Sequence, residues 1–123
     1  MSEHDSQVLL FQILALYEDK YPMLKWVFAV PNGGKRHPAT AVKMKAEGVK
    51  RGIPDICILY PVDEWAGCFI EMKYLKGRLT KEQKEFIAEF EHTHKIYVCW
   101  SAVEAAHAIG DYLDIRELRE VTE

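Results

Sequence analysis

Apolar positions recur along the chain with two periods, and the switches between them mark out the elements. Ser2-x-x-Asp5 has the form of a capping box, with Asp in place of the usual Glu or Gln. Leu10, Ile13, Leu14 and Tyr17 follow at helical spacing, which predicts a first helix running to about Lys20 and ending before Pro22. Residues 26–30 are an unbroken apolar run and read as a buried strand. Pro31-Asn32-Gly33-Gly34 then breaks the chain in a turn, since glycine readily takes positive φ. Pro38 is placed to open a second helix and Gly48 to end it. After a loop at 50–54, strands are expected over 55–60 and 68–74, joined by a hairpin connection at 63–67. Thr80-x-x-Gln83 is a capping box opening a third helix, whose inner face carries Phe86, Ile87 and Phe90. Residues 96–100 read as a fourth strand. Ser101-x-x-Glu104 caps a fourth helix with Val103, Ala106, Ile109 and Leu113 inward, and 115–123 reads as a short, frayed helical end. The order α-β-α-β-β-α-β-α, with apolar strands and amphipathic helices, implies an α/β fold with a central mixed β-sheet flanked by helices on both sides.

Size and composition narrow the class. The 123 residues suit a single domain over 1–123, and 49% hydrophobic content is enough for a core. No run of about 18 apolar residues suggests a membrane span, and the polar, acidic N-terminus does not resemble a secretory signal. Cys57, Cys68 and Cys99 are odd in number and form no C-x-x-C pair, so they read as buried thiols in a reducing, intracellular compartment. The formal net charge of −3 argues at first against a polyanionic partner, but the charge is unevenly spread. From Lys35 to Arg51 the chain carries Lys35, Arg36, Lys43, Lys45, Lys50 and Arg51 against Glu47 alone. From Lys73 to Lys84 five basic residues face Glu82, whereas from Glu104 onward six acids face Arg116 and Arg119. A basic middle with an acidic end would present one face to nucleic acid, although solvated helix faces produce similar runs.

The chemistry concentrates in Pro54-Asp55 and Glu71-Met72-Lys73. Side chains alternate along a strand, so Glu71 and Lys73 share a face while Met72 points away, and a hairpin between the two strands brings Asp55 alongside. An exposed Glu-x-Lys pair is the alternative, worth only a few tenths of a kcal/mol to about 1 kcal/mol. The flanking residues, Ile56-Cys57-Ile58-Leu59 and Cys68-Phe69-Ile70, are apolar, however. Neighbouring carboxylates in such surroundings repel unless a cation or a proton relieves them. Mg²⁺ would do so, since it takes one or two carboxylates plus water and phosphate oxygens, and Lys73 would then orient or deprotonate an attacking water.

Asp55 after Pro54, with Glu71-x-Lys73 downstream, resembles the PD-(D/E)xK nuclease signature, and the element order resembles that superfamily's restriction-endonuclease-like core. A closer resemblance is to the VRR-NUC family, in particular its small stand-alone phage and bacterial members. It is carried by Ser2-Glu3-His4 with Gln7, Pro31-Asn32-Gly33-Gly34-Lys35-Arg36, Lys50-Arg51-Gly52-Ile53-Pro54-Asp55, Glu71-Met72-Lys73 and Leu79-Thr80-x-x-Gln83, over about residues 2 to 108. The resemblance implies that Asp55 and Glu71 are metal ligands, with the Met72 carbonyl a further one, and that Lys73 is the catalytic lysine. Gln83 matches a superfamily glutamine that would hold phosphate, water or Lys73 in place. Glu3 matches an acidic residue of the first helix that completes the metal shell directly or through water, though a helix-start charge favoured by the macrodipole explains it equally. Gln7 would share Glu3's face.

The resemblance further implies a Mg²⁺-dependent endodeoxyribonuclease, with Mn²⁺ as substitute, that hydrolyses phosphodiester bonds as a homodimer in branched DNA such as Holliday junctions. Its setting would be the cytoplasm of a bacterium or phage-infected host. A catalytically silent nucleic-acid-binding module and a flap or restriction-type nuclease of the same superfamily are the rival readings. Lys35, Arg36, Arg51, Lys76 and Arg78 are the candidates for DNA backbone contacts, which need charge more than sequence readout. His92-x-His94 lacks a partner at zinc spacing. Of the tryptophans, Trp65 in the hairpin turn is the candidate exposed wedge or partner contact.

Overall fold

A computed structural model describes residues 2–31 and 38–123. The expected turn at Asn32-Gly33-Gly34 and the basic pair Lys35 and Arg36 therefore lie outside the described residues. The first helix, α1 (Glu3–Tyr17), is opened by the expected capping box: Ser2 Oγ accepts from Asp5 N–H and Asp5 Oδ2 accepts from Ser2 N–H, both at 3.1 Å. It ends at Tyr17, and Pro22 then opens a 3-10 helix, Pro22–Trp26. Proline's fixed φ suits a first helical turn, and burying Leu24 there takes Trp26 out of the strand. Strand β1 accordingly covers only Val27–Ala29.

The remaining elements are α2 (Pro38–Ala46), β2 (Ile56–Ile58), β3 (Cys68–Met72), α3 (Lys81–Phe90), β4 (Lys95–Cys99), α4 (Ala102–Leu113) and the short α5 (Arg116–Arg119). The strands form one mixed sheet in the order β1-β2-β3-β4, antiparallel throughout except for the parallel β3–β4 pair. The expected α/β class and mixed sheet flanked by helices are thus present.

The two faces of the sheet are covered unequally. Val27, Ile56, Ile58, Cys68, Ile70 and Met72 are buried in one cluster with Leu10 and Leu14 of α1 and Ala105, Ala106 and Ile109 of α4. Packing at this density excludes water and makes this face the core. The opposite face carries Phe69, which meets Phe86 of α3 edge to face at 5.0 Å, and Phe86 in turn meets Phe90 at 4.7 Å. Neither α3 nor α2 contains a fully buried residue. Strand alternation puts Glu71, two positions after Phe69, on this thinly covered face.

The C-terminal segment is more firmly docked than a frayed end. Asp114 caps α4 in the left-handed conformation, with φ 57°, and turns the chain back so that Ile115 and Leu118 are completely buried. Gly110 permits the close approach: a Cβ there would lie 2.8 Å from the Arg119 nitrogen. Arg119 Nη1 donates to the Gly110 carbonyl at 3.1 Å and to Asp114 Oδ1 at 2.8 Å. Glu117 accepts from Lys20 at 2.6 Å and from the Tyr21 hydroxyl at 2.7 Å, tying this end to the turn after α1. Local apolar spacing could not show this because a four-residue helix is stable only through what it packs against.

Trp65 also departs from expectation. It is half-buried against the core, bridged to Val62, with Lys95 Nζ 5.5 Å from its ring centroid. The more exposed indoles belong to Trp26 and Trp100. Among the described residues no helix is long and apolar enough to cross a membrane.

Candidate active site

The site is assembled where β2 and β3 run side by side. Ile56 pairs with Ile70, so the next step outward sets Asp55 across from Glu71. Asp55 is held from two sides. Its carbonyl accepts from Val30 N–H at 2.8 Å, and its Oδ2 accepts from Met72 N–H at 2.7 Å. The loop that delivers Asp55 turns at Gly52, with φ +85°, and presses on the first turn of α3 so closely that a Cβ would lie 2.6 Å from the Glu82 carbonyl carbon.

Glu71 is only 4% exposed and Lys73 only 9%, so the exposed ion-pair alternative does not describe them. Glu71 Oε1 accepts from Gln83 Nε2 at 2.8 Å. Its other oxygen, Oε2, is buried and has no hydrogen-bond partner among the described residues. Burial pushes the Glu71 carboxyl up to about 8; the charge of Asp55 and their contact add to the rise, Lys73 opposes it, and Glu3 contributes further. Lys73 is fixed at its backbone, whose N–H donates to the Cys99 carbonyl at 2.8 Å, and its side chain lines the cleft. No ion pair among the described residues engages it.

These groups form the floor of a cleft of about 860 Å³. One wall is α2 and the loop after it, with Val42, Met44 and Val49; Lys45, Lys50 and Arg51 bring positive charge, and Thr80, Glu82 and Gln83 close the side formed by α3. Asp55, Glu71, Lys73 and Gln83 are therefore brought together, as expected. Glu3 lines the same cleft from the start of α1. Among the described residues, however, no three His, Cys, Asp or Glu side chains form a metal-holding cluster, so Glu3 is not gathered with the other two carboxylates. Gln7 lies apart, in a shallow groove on α1 with His4, Val8 and Phe11. Arg51 reaches the cleft, whereas Lys76 and Arg78 are exposed in the loop beyond β3 and are not among its lining residues.

Sequence reasoning passed over Lys45, Lys50 and Thr80 at the cleft. The first two stand in the basic run already noted, and Thr80 in the capping box. All three cysteines are buried and free, and burial raises each thiol, which removes them as nucleophiles. His94, just before β4, packs its ring against Phe69 and Phe90 and is not among the cleft-lining residues.

The donor set fits a hard divalent cation. Two adjacent carboxylates, one with a buried oxygen that no described residue satisfies, carry a desolvation cost that a proton or a cation must relieve. Two carboxylates with room for water are what Mg²⁺ accepts, and among the described residues that line the cleft there is no Cys or His to make a zinc-type site.

Comparison with protein families gives a match to the VRR-NUC domain over residues 1–103. The chain belongs to the VRR-NUC family, a family of nuclease type. A solved structure described as a VRR_NUC domain protein shares the fold, with a TM-score of 0.72 at 22% identity, covering 93% of this chain and 89% of its own. Comparison with curated proteins returned no match. The match to the VRR-NUC domain includes the Asp55 loop, the Glu71-Met72-Lys73 strand and the first turn of α3, and ends just inside α4.

Proposed function

We propose that this VRR-NUC protein is a Mg²⁺-dependent endodeoxyribonuclease, with Mn²⁺ as a substitute, whose working groups are Asp55, Glu71, Lys73 and Gln83. The observation that carries the reading is the buried Oε2 of Glu71, without a hydrogen-bond partner among the described residues, beside Asp55 at the floor of a cleft edged by Lys45, Lys50 and Arg51. A silent binding module would have no reason to retain that cost; a basic surface alone suffices for phosphate contacts.

Asp55, Glu71 and the Met72 carbonyl would hold the cation, with Glu3 reaching it through water. When bound, the cation supplies Lewis-acid polarisation of the scissile phosphate. Lys73 orients the attacking water, takes up or shares its proton, and steadies the charge that develops on the phosphoryl oxygens. Gln83 holds Glu71 by Oε1, and Oε2 would be the oxygen that meets the cation. Lys45, Lys50 and Arg51 bind the DNA backbone on either side of the scissile bond, contacts that position a strand without reading its sequence.

The substrate proposed is branched DNA, in particular four-way junctions, cut by a homodimer whose two sites act on two strands. This finer reading rests on the resemblance to small stand-alone family members. It is tested by cleavage of matched four-way-junction, flap and linear-duplex DNA with Mg²⁺ or EDTA, alongside Lys73→Ala. Symmetric, Mg²⁺-dependent nicking of the junction, abolished by Lys73→Ala, is the expected result. Metal-independent cleavage would overturn the proposed chemistry, cleavage of duplex as fast as junction the substrate, and sedimentation as a monomer at working concentration the two-site arrangement.

A further inference from the structure

The cleft wall formed by α3 ties the start of that helix to Glu71 through Gln83. Gln83 sits at the third position of α3 and makes both bonds of a capping box with Thr80. Its N–H donates to Thr80 Oγ1 at 3.2 Å, and its side-chain Oε1 accepts from Thr80 N–H at 2.8 Å. The same side chain turns its Nε2 to Glu71 Oε1 at 2.8 Å. One amide therefore bridges a helix end and a buried carboxylate.

A glutamine amide has an oxygen that only accepts and a nitrogen that only donates. Were it reversed, its NH₂ would oppose the Thr80 N–H and its oxygen would oppose Glu71 Oε1, losing both bonds and leaving Glu71 with two unsatisfied oxygens. The Thr80 N–H consumes the oxygen end, so only the donor end is left for Glu71. Glutamate, equally good at this position of a capping box, would set a third carboxylate against Asp55 and Glu71.

We propose that Thr80 is a positioning residue for the nuclease site: its backbone N–H, acting through the Gln83 amide, fixes which oxygen of Glu71 is satisfied by the protein and which is presented to the cation. This rests on the reading of Glu71 as a metal ligand. The helix cap and the ligand geometry are thereby one structure, and the role belongs to the main-chain N–H of Thr80 rather than to its hydroxyl.

That distinction gives the test. Thr80 has φ −75°, close to the value a proline ring imposes, so Thr80→Pro removes the N–H while keeping that angle. Thr80→Ala removes the hydroxyl and keeps the N–H, and Thr80→Ser keeps both. Mn²⁺ affinity, measured by calorimetry without DNA, and kcat against KM on cleavable DNA are compared across the three. Thr80→Ser is expected to behave as the native protein. Thr80→Ala should melt earlier yet bind Mn²⁺ within about twofold of native. Thr80→Pro should lose on the order of tenfold or more in Mn²⁺ affinity, the usual scale for losing a group that orients a metal ligand, with the loss in turnover falling on kcat. Equal Mn²⁺ affinity in Thr80→Pro and Thr80→Ala overturns the proposal, as does a loss already complete in Thr80→Ala, which would make the hydroxyl the acting group.

Should Thr80→Pro fail to fold, the native protein still decides. In metal-free protein the Gln83 side-chain NH₂ is expected to show one proton protected from solvent exchange by Glu71, unchanged in Thr80→Ser. An amide exchanging at the rate of a free glutamine overturns the arrangement. If the native protein neither binds Mn²⁺ nor cleaves DNA while that proton is protected, the nuclease reading fails and the Thr80–Gln83–Glu71 linkage stands as a structural one.

Discussion

At the scale of single residues, Glu71 sets stability against function. Burial is the largest cause of its raised carboxyl, at about 8, and the charge of Asp55 is the next. A group whose folded value lies above its unfolded one contributes stability that is fully present below the unfolded value, near 4.5, and is lost as pH rises through about 8. Metal-free protein is therefore expected to lose stability at this group across that window. Glu71→Gln keeps the shape, removes the charge and should raise the melting temperature at pH 8 in EDTA by about 4 °C or more, the effect of roughly 1 kcal/mol in a chain of this size. Mg²⁺ should stabilise the native protein and leave the variant unmoved. Thermal scans at pH 5 and pH 8, with and without Mg²⁺, check this; a variant no more stable than native at pH 8 would remove the charge strain from the account.

Between elements, the decisive contact is the loop before β2 lying on the first turn of α3. Gly52→Ala meets two obstacles at once, a positive φ and the Glu82 backbone at 2.6 Å. It is expected to cost about 1–3 kcal/mol through backbone strain, and to lower turnover further by shifting Asp55 relative to Glu71. Chemical denaturation and single-turnover kinetics separate the two effects; unchanged turnover in the folded variant would show that the loop does not set the carboxylate spacing. Much at this scale was legible in the sequence. The capping boxes at Ser2 and Thr80 and the shared face of Glu71 and Lys73 follow from local hydrogen-bonding chemistry and strand alternation. The 3-10 helix at Pro22–Trp26, the half-burial of Trp65 and the docking of α5 were not legible, because each depends on which side chains the core takes in.

For the whole molecule, charge is arranged around the cleft and at the far end of the fold. Lys45, Lys50 and Arg51 line the cleft, so DNA affinity should fall steeply with salt, and each alanine substitution there should reduce the salt slope by about 1. Binding titrations across a range of KCl concentrations read this directly; slopes unchanged by all three substitutions would move the DNA surface elsewhere. At the opposite end, hydrogen bonds from Lys20 and then Tyr21 hold the Glu117 carboxyl down at about 2. Its stabilising contribution is present above the unfolded value near 4.5 and is lost as pH falls through about 2. Glu117→Gln should flatten the acid limb of the stability profile over that window with no effect on Mg²⁺ binding. An acid limb identical to native would mean that the tie between α5 and the turn after α1 contributes nothing.

The sequence by itself determined the order of the main helices and strands, the α/β class, the shared face of Glu71 and Lys73 and the capping box that holds Gln83. Those features depend on side-chain period, capping chemistry and motif spacing, all of which are local along the chain. Only the tertiary structure decided that Lys45, Lys50 and Thr80 face the cleft while Lys76 and Arg78 lie outside its lining, and that Gln7 belongs to another groove. It also decided which oxygen of Glu71 is satisfied and which is not. These outcomes depend on distances between segments remote in sequence and on the exclusion of water where they meet, and no local pattern encodes either.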